Sequence, residues 1–185
     1  MKRAERSHRS LEGIAARQYG LVSRRQALET LSVAAVSRRV GTGEWTIVLP
    51  SVYRLPGVPV TWRQRAMAAT LWAGETGVAS HTAAAALWGL DGVDRRAVEI
   101  TTPRRLRAAG VVVHNGDPVP EADRSARHGI PCTSATRTLV DLSAVLDEES
   151  FETAMEDAFR RRLTTPARLQ WRLEQVGGRG RAGTR

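Results

Sequence analysis

The 185-residue sequence contains one cysteine, Cys132, and one lysine, Lys2, and only 5% of its side chains are aromatic. Each scarcity removes a class of answer. A single thiol can neither close an internal disulfide nor build a thiolate zinc cluster. A restriction-type nuclease site wants carboxylates that hold a metal beside a lysine, and the sole lysine lies in the basic lead, so no such catalytic site is expected. No glycine-rich loop follows a strand, which leaves nucleotide binding unsupported. The most apolar stretch, Ala83 to Leu90, falls far short of the ~20 residues that span a bilayer. Met1 to Gly20 is polar and lacks the apolar core of a secretory signal, so a cytoplasmic location is expected.

Positive charge is abundant, and its placement says more than its total. The formal charge is +9, carried almost wholly by arginine. A GC-rich coding bias would produce many arginines, but it would spread the excess evenly. Instead, residues 1–60 hold ten Lys/Arg against Glu5, Glu12, Glu29 and Glu44, a surplus of six. Residues 61–178 balance, and Arg179, Arg181 and Arg185 add the remaining three. A local surplus of this kind suits binding to phosphates.

Within that basic region, Leu21 to Leu55 reads as a winged helix-turn-helix. Ser23 and Gln26 have the spacing of a reciprocal capping box at a helix start, followed by the apolar Ala27, Leu28 and Leu31. Ser32 can cap a second helix. Val33, Val36 and Val40 then form a stripe expected to face the partner helix, turning Ala34, Ala35, Ser37, Arg38 and Arg39 outward. Small residues let a helix backbone approach base edges, and arginines reach guanine or phosphate. Gly41-Thr42-Gly43 ends the helix. Trp45 to Leu49 and Val52 to Leu55, separated by Pro50-Ser51, form a hairpin expected to be the wing.

Around this stretch, Met1 to Arg9 is a basic lead and Leu11 to Tyr19 has the spacing of a preceding helix. Pro56-Gly57-Val58-Pro59 suits neither helix nor central strand, and the domain boundary is placed there. Beyond it, Thr61 and Gln64 form a second capping box for a helix through Ala73, and Ser80 is expected to cap His81 to Trp88. Val98 to Thr101, Val111 to His114 and Ile130 to Cys132 read as three strands. Helices follow from Thr133 or Ser134, from Asp147, and from Thr165-Pro166. The expected fold class is α+β. It comprises a winged helix-turn-helix at 10–58, a mixed α/β domain with a small sheet and about five helices at 59–176, and a Gly/Arg-rich tail at 177–185.

Chemistry in the second domain has little support. His81, Glu99, His114, Asp117 and Asp141 could form a metal or acid-base cluster, but their spacing is not diagnostic. Local hydrogen bonding explains His81 more simply than ligation, His114 sits at a strand end where it would be solvated, and Cys132 reads as a small buried residue. No catalytic residue, metal or cofactor is expected. Arg104, Arg105 and Arg107, in a loop between strands, form a possible secondary basic surface. The run Arg160-Arg161-Arg162 follows Glu152, Glu156 and Asp157, and acid-first pairing along one helix explains it.

The ordered set SRRQALETL, VSRRV, SVYRLPG, TWRQRA, ASHTAAAALWGLDG, ITTPRR and GIPCTSATRTLVDL resembles the AbiEi family, bacterial antitoxins of type IV toxin-antitoxin systems, over about residues 10–176. The resemblance implies a winged helix that binds operator repeats and represses its own operon, and a second domain that counters a nucleotidyltransferase-like toxin. Carried onto this sequence, it makes Ser37, Arg38 and Arg39 the recognition-helix candidates and Arg24 and Arg25 backbone contacts. Ala34, Ala35, Thr42 and Arg54 complete the expected DNA-binding set. The chain departs from the family at Ala34-Ala35 and Thr46-Ile47, where relatives commonly carry polar or basic residues. The end GRGRAGTR resembles the linker into the Vsr-like endonuclease domain that follows in many relatives. Two alternatives therefore stand beside the autorepressor: a non-catalytic DNA-targeting fragment of such an endonuclease protein, and a winged-helix protein-interaction module.

Overall fold

A computed structural model describes residues 11–94 and 97–176; the basic lead and the Gly/Arg tail lie outside the described residues. The chain divides into two compact units between Glu75 and Thr76.

The first unit opens with helix α1 at residues 11–17. Strand β1 (Leu21–Ser23), helices α2 (Arg24–Leu28) and α3 (Val33–Gly41), strands β2 (Thr46–Leu49) and β3 (Val52–Arg54), and helix α4 (Trp62–Ala73) follow. The strands form an antiparallel sheet in the order β1-β3-β2. Both arms of the Ser23–Gln26 box are made, which fixes where β1 ends and α2 begins. The Ser32 hydroxyl accepts from the Ala35 amide at 3.2 Å and starts α3. Leu11, Ala15, Val22, Ala27, Val36, Trp45 and Tyr53 close one buried cluster over the sheet.

Three expectations change here. Leu21–Ser23, for which the sequence suggests no element beyond the Ser23 cap, forms a strand paired along β3 from Leu21–Arg54 to Ser23–Val52. The boundary expected at residue 58 lies at 75, because α4 belongs to the first unit. Most of its side chains are buried, the Thr61 hydroxyl caps its start by accepting from the Gln64 amide at 3.1 Å, and Gln64 Nε2 donates to the Tyr19 carbonyl at 2.7 Å instead of closing the other arm of the box. The Pro56–Pro59 stretch is thus an internal connection. It passes so close to Gly20 (φ +76°) that a Cβ there would stand 2.4 Å from Val58, so this turn requires glycine on both conformational and steric grounds.

In the second unit, β4 (Val78–Ala79), α5 (His81–Trp88), β5 (Glu99–Thr102), β6 (Val112–Asn115), β7 (Arg124–Arg127) and β8 (Ile130–Thr133) precede α6 (Ala135–Leu142), α7 (Glu148–Arg160) and α8 (Pro166–Val176). The sheet is mixed, in the order β6-β5-β4-β8-β7, and has five strands where three were expected. Strand β7, Arg-Ser-Ala-Arg, has no apolar run to announce it. It is an edge strand joined to β8 through His128 and Gly129, both at positive φ, the backbone that a two-residue hairpin turn needs. Leu90, Leu139, Leu142, Ala154, Ala158 and Leu169 pack α5 to α8 into the main helical core.

Charged side chains close this unit. Arg161 donates to the Trp88 and Gly89 carbonyls at the end of α5, both at 2.8 Å, and to Asp157. Burial alone would raise the Asp157 pKa, but hydrogen bonds and charge from Arg161 and Arg160 more than offset it and hold the carboxyl below its usual range. These arginines therefore act within the fold. Among the described residues, no helix is long and apolar enough to cross a membrane.

Candidate functional site

In the first unit, the outward stripe of α3 consists of Val33, Ala34, Ser37, Arg38 and Gly41, all exposed. Their spacing places them on one side of the helix, two turns long. Val33 is 55% exposed, so it belongs to this stripe rather than to the packed face expected of it. Val36 is the buried residue at the centre of the packed face.

Arg39 also departs from expectation. Its guanidinium lies 5.6 Å from the Trp45 ring centroid, its Nε pairs with Glu44 at 3.1 Å, and Nη1 donates to the Ala35 carbonyl at 3.3 Å. The side chain is only 12% exposed. One residue around the helix from Arg38, it supports the start of the hairpin instead of sharing the outer stripe.

The other expected contacts are spread over the same unit. Arg24 is half-buried and its amide donates to the Ser51 carbonyl at the hairpin tip, at 2.7 Å. Exposed Arg25 pairs with exposed Glu75 at 2.5 Å, which raises the guanidinium pKa through hydrogen bond and charge. Ala35 is half-buried, Thr42 is exposed and bonds the Arg38 and Arg39 carbonyls, and Arg54 lies on β3 opposite Leu21 and Thr46. Ile47, on the edge strand β2, is 58% exposed. The exposed side chain at this position is apolar. In the second unit, Arg104, Arg105 and Arg107 sit in the exposed loop between β5 and β6.

No protein-family model and no curated protein matches the chain. Among solved structures, the RV2827C protein from Mycobacterium tuberculosis is similar, with a TM-score of 0.43 and 16% identity over 91% of this chain and 80% of that one. A likeness of that degree carries no inference about function.

Of the five residues named as a possible cluster, the second unit brings His81, Glu99 and His114 together in one polar centre. Ser80 fails to cap α5 and bonds His81 Nδ1 at 3.0 Å, while Thr101 Oγ1 donates to the Ser80 hydroxyl at 2.8 Å. The His81 and His114 rings stack with centroids 3.6 Å apart. His114 Nε2 meets Glu99 Oε2 at 2.7 Å, and Thr82 donates to the other Glu99 oxygen. Desolvation, followed by the charge of His114, pushes the His81 pKa down to about 4, so its imidazole is neutral at neutral pH. Burial works to raise the Glu99 pKa, but hydrogen bonds from His114 and Thr82 hold it low. His114 is therefore engaged rather than solvated. The register makes this possible, since His114 pairs with Thr101, whose side chain shares a face with Glu99, and the Ser80 amide donates to the Glu99 carbonyl.

The remaining candidates divide. Exposed Asp117 stands outside the centre. Buried Asp141 accepts from Arg137 Nε at 2.7 Å, while its Oδ2 is buried without a hydrogen-bond partner among the described residues, and burial raises its pKa. Arg137 also reaches Asp123, which Arg172 bonds in turn. Cys132 is fully buried in β8, and desolvation lifts its thiol to about 12, which removes it as a nucleophile.

Proposed function

We propose that the chain is a DNA-binding transcriptional regulator whose first unit is a winged helix-turn-helix, with α3 as the reading helix and the β2–β3 hairpin as the wing. The observation that carries this reading is the exposed stripe Val33, Ala34, Ser37, Arg38, Gly41 on a helix capped by Ser32, in the region that holds the surplus positive charge. Small side chains permit close approach to bases, Val33 and Ala34 suit a thymine methyl, and Arg38 supplies a guanine or phosphate contact. Following the AbiEi resemblance, the regulator represses its own operon from operator repeats in the cytoplasm and opposes a nucleotidyltransferase-like toxin indirectly.

Arg39 lends weight to a second reading, a protein-interaction module, because its guanidinium is held within the fold and Val33 and Ile47 are exposed apolar groups. A gel shift at controlled salt, with the chain's own promoter and a scrambled duplex, separates the possibilities. A regulator selects the promoter by orders of magnitude, about a thousandfold or more. Equal affinity would point to a targeting module, and no binding at low salt would leave the protein-interaction reading.

A further inference from the structure

We propose that His81, Glu99 and His114 form a binding site for a divalent transition-metal ion of the zinc class. One ligand atom from each residue lies within 4.8 Å of the others. Two imidazoles and a carboxylate form a donor set that such ions prefer, and three protein ligands leave a position open for water. Ligand atoms around a tetrahedral ion with bonds of ~2.0–2.1 Å stand ~3.3 Å apart, so the present spread must contract by up to ~1.5 Å. The rings, now parallel to within 14°, splay by side-chain rotation to aim their lone pairs at one point. The ion then takes the place of the proton between His114 and Glu99.

Two further observations favour this centre over a satisfied polar core. Its donors come from neighbouring elements, the first residue of α5 just past β4 and the paired strands β5 and β6, whose ladders hold the backbone of Glu99 and His114 in place. His81 adopts φ +51°, a backbone region that side-chain-bearing residues seldom occupy and that persists where surrounding structure imposes it. The surrounding charge is mixed, since Asp141 acts on His114 in favour of a cation while Arg137 acts on His81 against one. The partly exposed His114 side chain gives the ion a way in.

Calorimetric titration of the metal-stripped full chain with Zn2+, alongside visible absorption with Co2+, tests the site. The expected result is one equivalent bound, with Co2+ bands of a low-coordinate ion, and at least tenfold weaker binding in His81→Ala and in His114→Ala. His128→Asn, in the β7–β8 turn, should leave affinity unchanged. If His81→Ala fails to fold in a thermal melt, His114→Ala on the edge strand decides. Absence of saturable binding, or full affinity in the His114 variant, overturns the proposal.

Discussion

Arg38→Ala is expected to weaken binding of the full chain to duplex DNA by about tenfold and to lower the slope of log affinity against log salt by about one, without changing the melting temperature. Arg38 is exposed on α3, so alanine removes a contact to DNA and little from the fold. Arg39→Ala should do the reverse. Losing its contacts with Trp45 and Glu44 costs about 1 kcal/mol of stability in the first unit, and the salt slope stays at the wild-type value. Salt-dependent binding isotherms and thermal melts on both variants distinguish the two arginines. Equal loss of DNA affinity in both would show that Arg39 leaves Trp45 to join the contact.

Asp123→Ala is expected to destabilise the second unit by about 3–5 kcal/mol, enough to unfold much of a marginal domain. The carboxylate is 6% exposed and binds both Arg137, at 3.3 Å, and Arg172, tying the segment before β7 to α6 and α8. Alanine would leave two poorly hydrated guanidiniums beside each other, with Asp141 able to neutralise only one. Urea titration should show a lower midpoint for the second-unit transition, with the first-unit transition unmoved. A loss below about 1 kcal/mol would mean that water replaces the carboxylate and that the network is no more than a surface ion pair.

Much of the first unit is written locally. The Ser23–Gln26 box, the Ser32 cap and the Pro50-Ser51 turn each depend on neighbours a few residues away, and each appears where spacing places it. What spacing could not give was how far each helix turns. Rotating the packed face of α3 from Val33 toward Arg39 needs the position of Trp45, which lies past the end of the helix. Strand β1 is three residues long, and β4 only two, too short for any periodicity to show. The polar centre was legible only as one possibility among five residues, for a different reason. His81, Glu99 and His114 are separated by many residues and meet only through the β4–β5 and β5–β6 registers, which no local pattern specifies. The His128-Gly129 dipeptide was a cue to the missed β7 that the sequence did carry, since a glycine after a polar residue between two short extended runs marks a hairpin, and both residues take the positive φ it needs.

The most direct measurement places a photo-reactive side chain at Ser37, on the exposed stripe of α3, and irradiates the full chain with its own promoter duplex. Binding through α3 predicts a cross-link to bases within the operator repeats, while the same group at Arg105 gives none or one independent of sequence. Promoter-bound protein that cross-links from Arg105 and never from Ser37 would contradict the assignment of α3 as the helix that reads DNA.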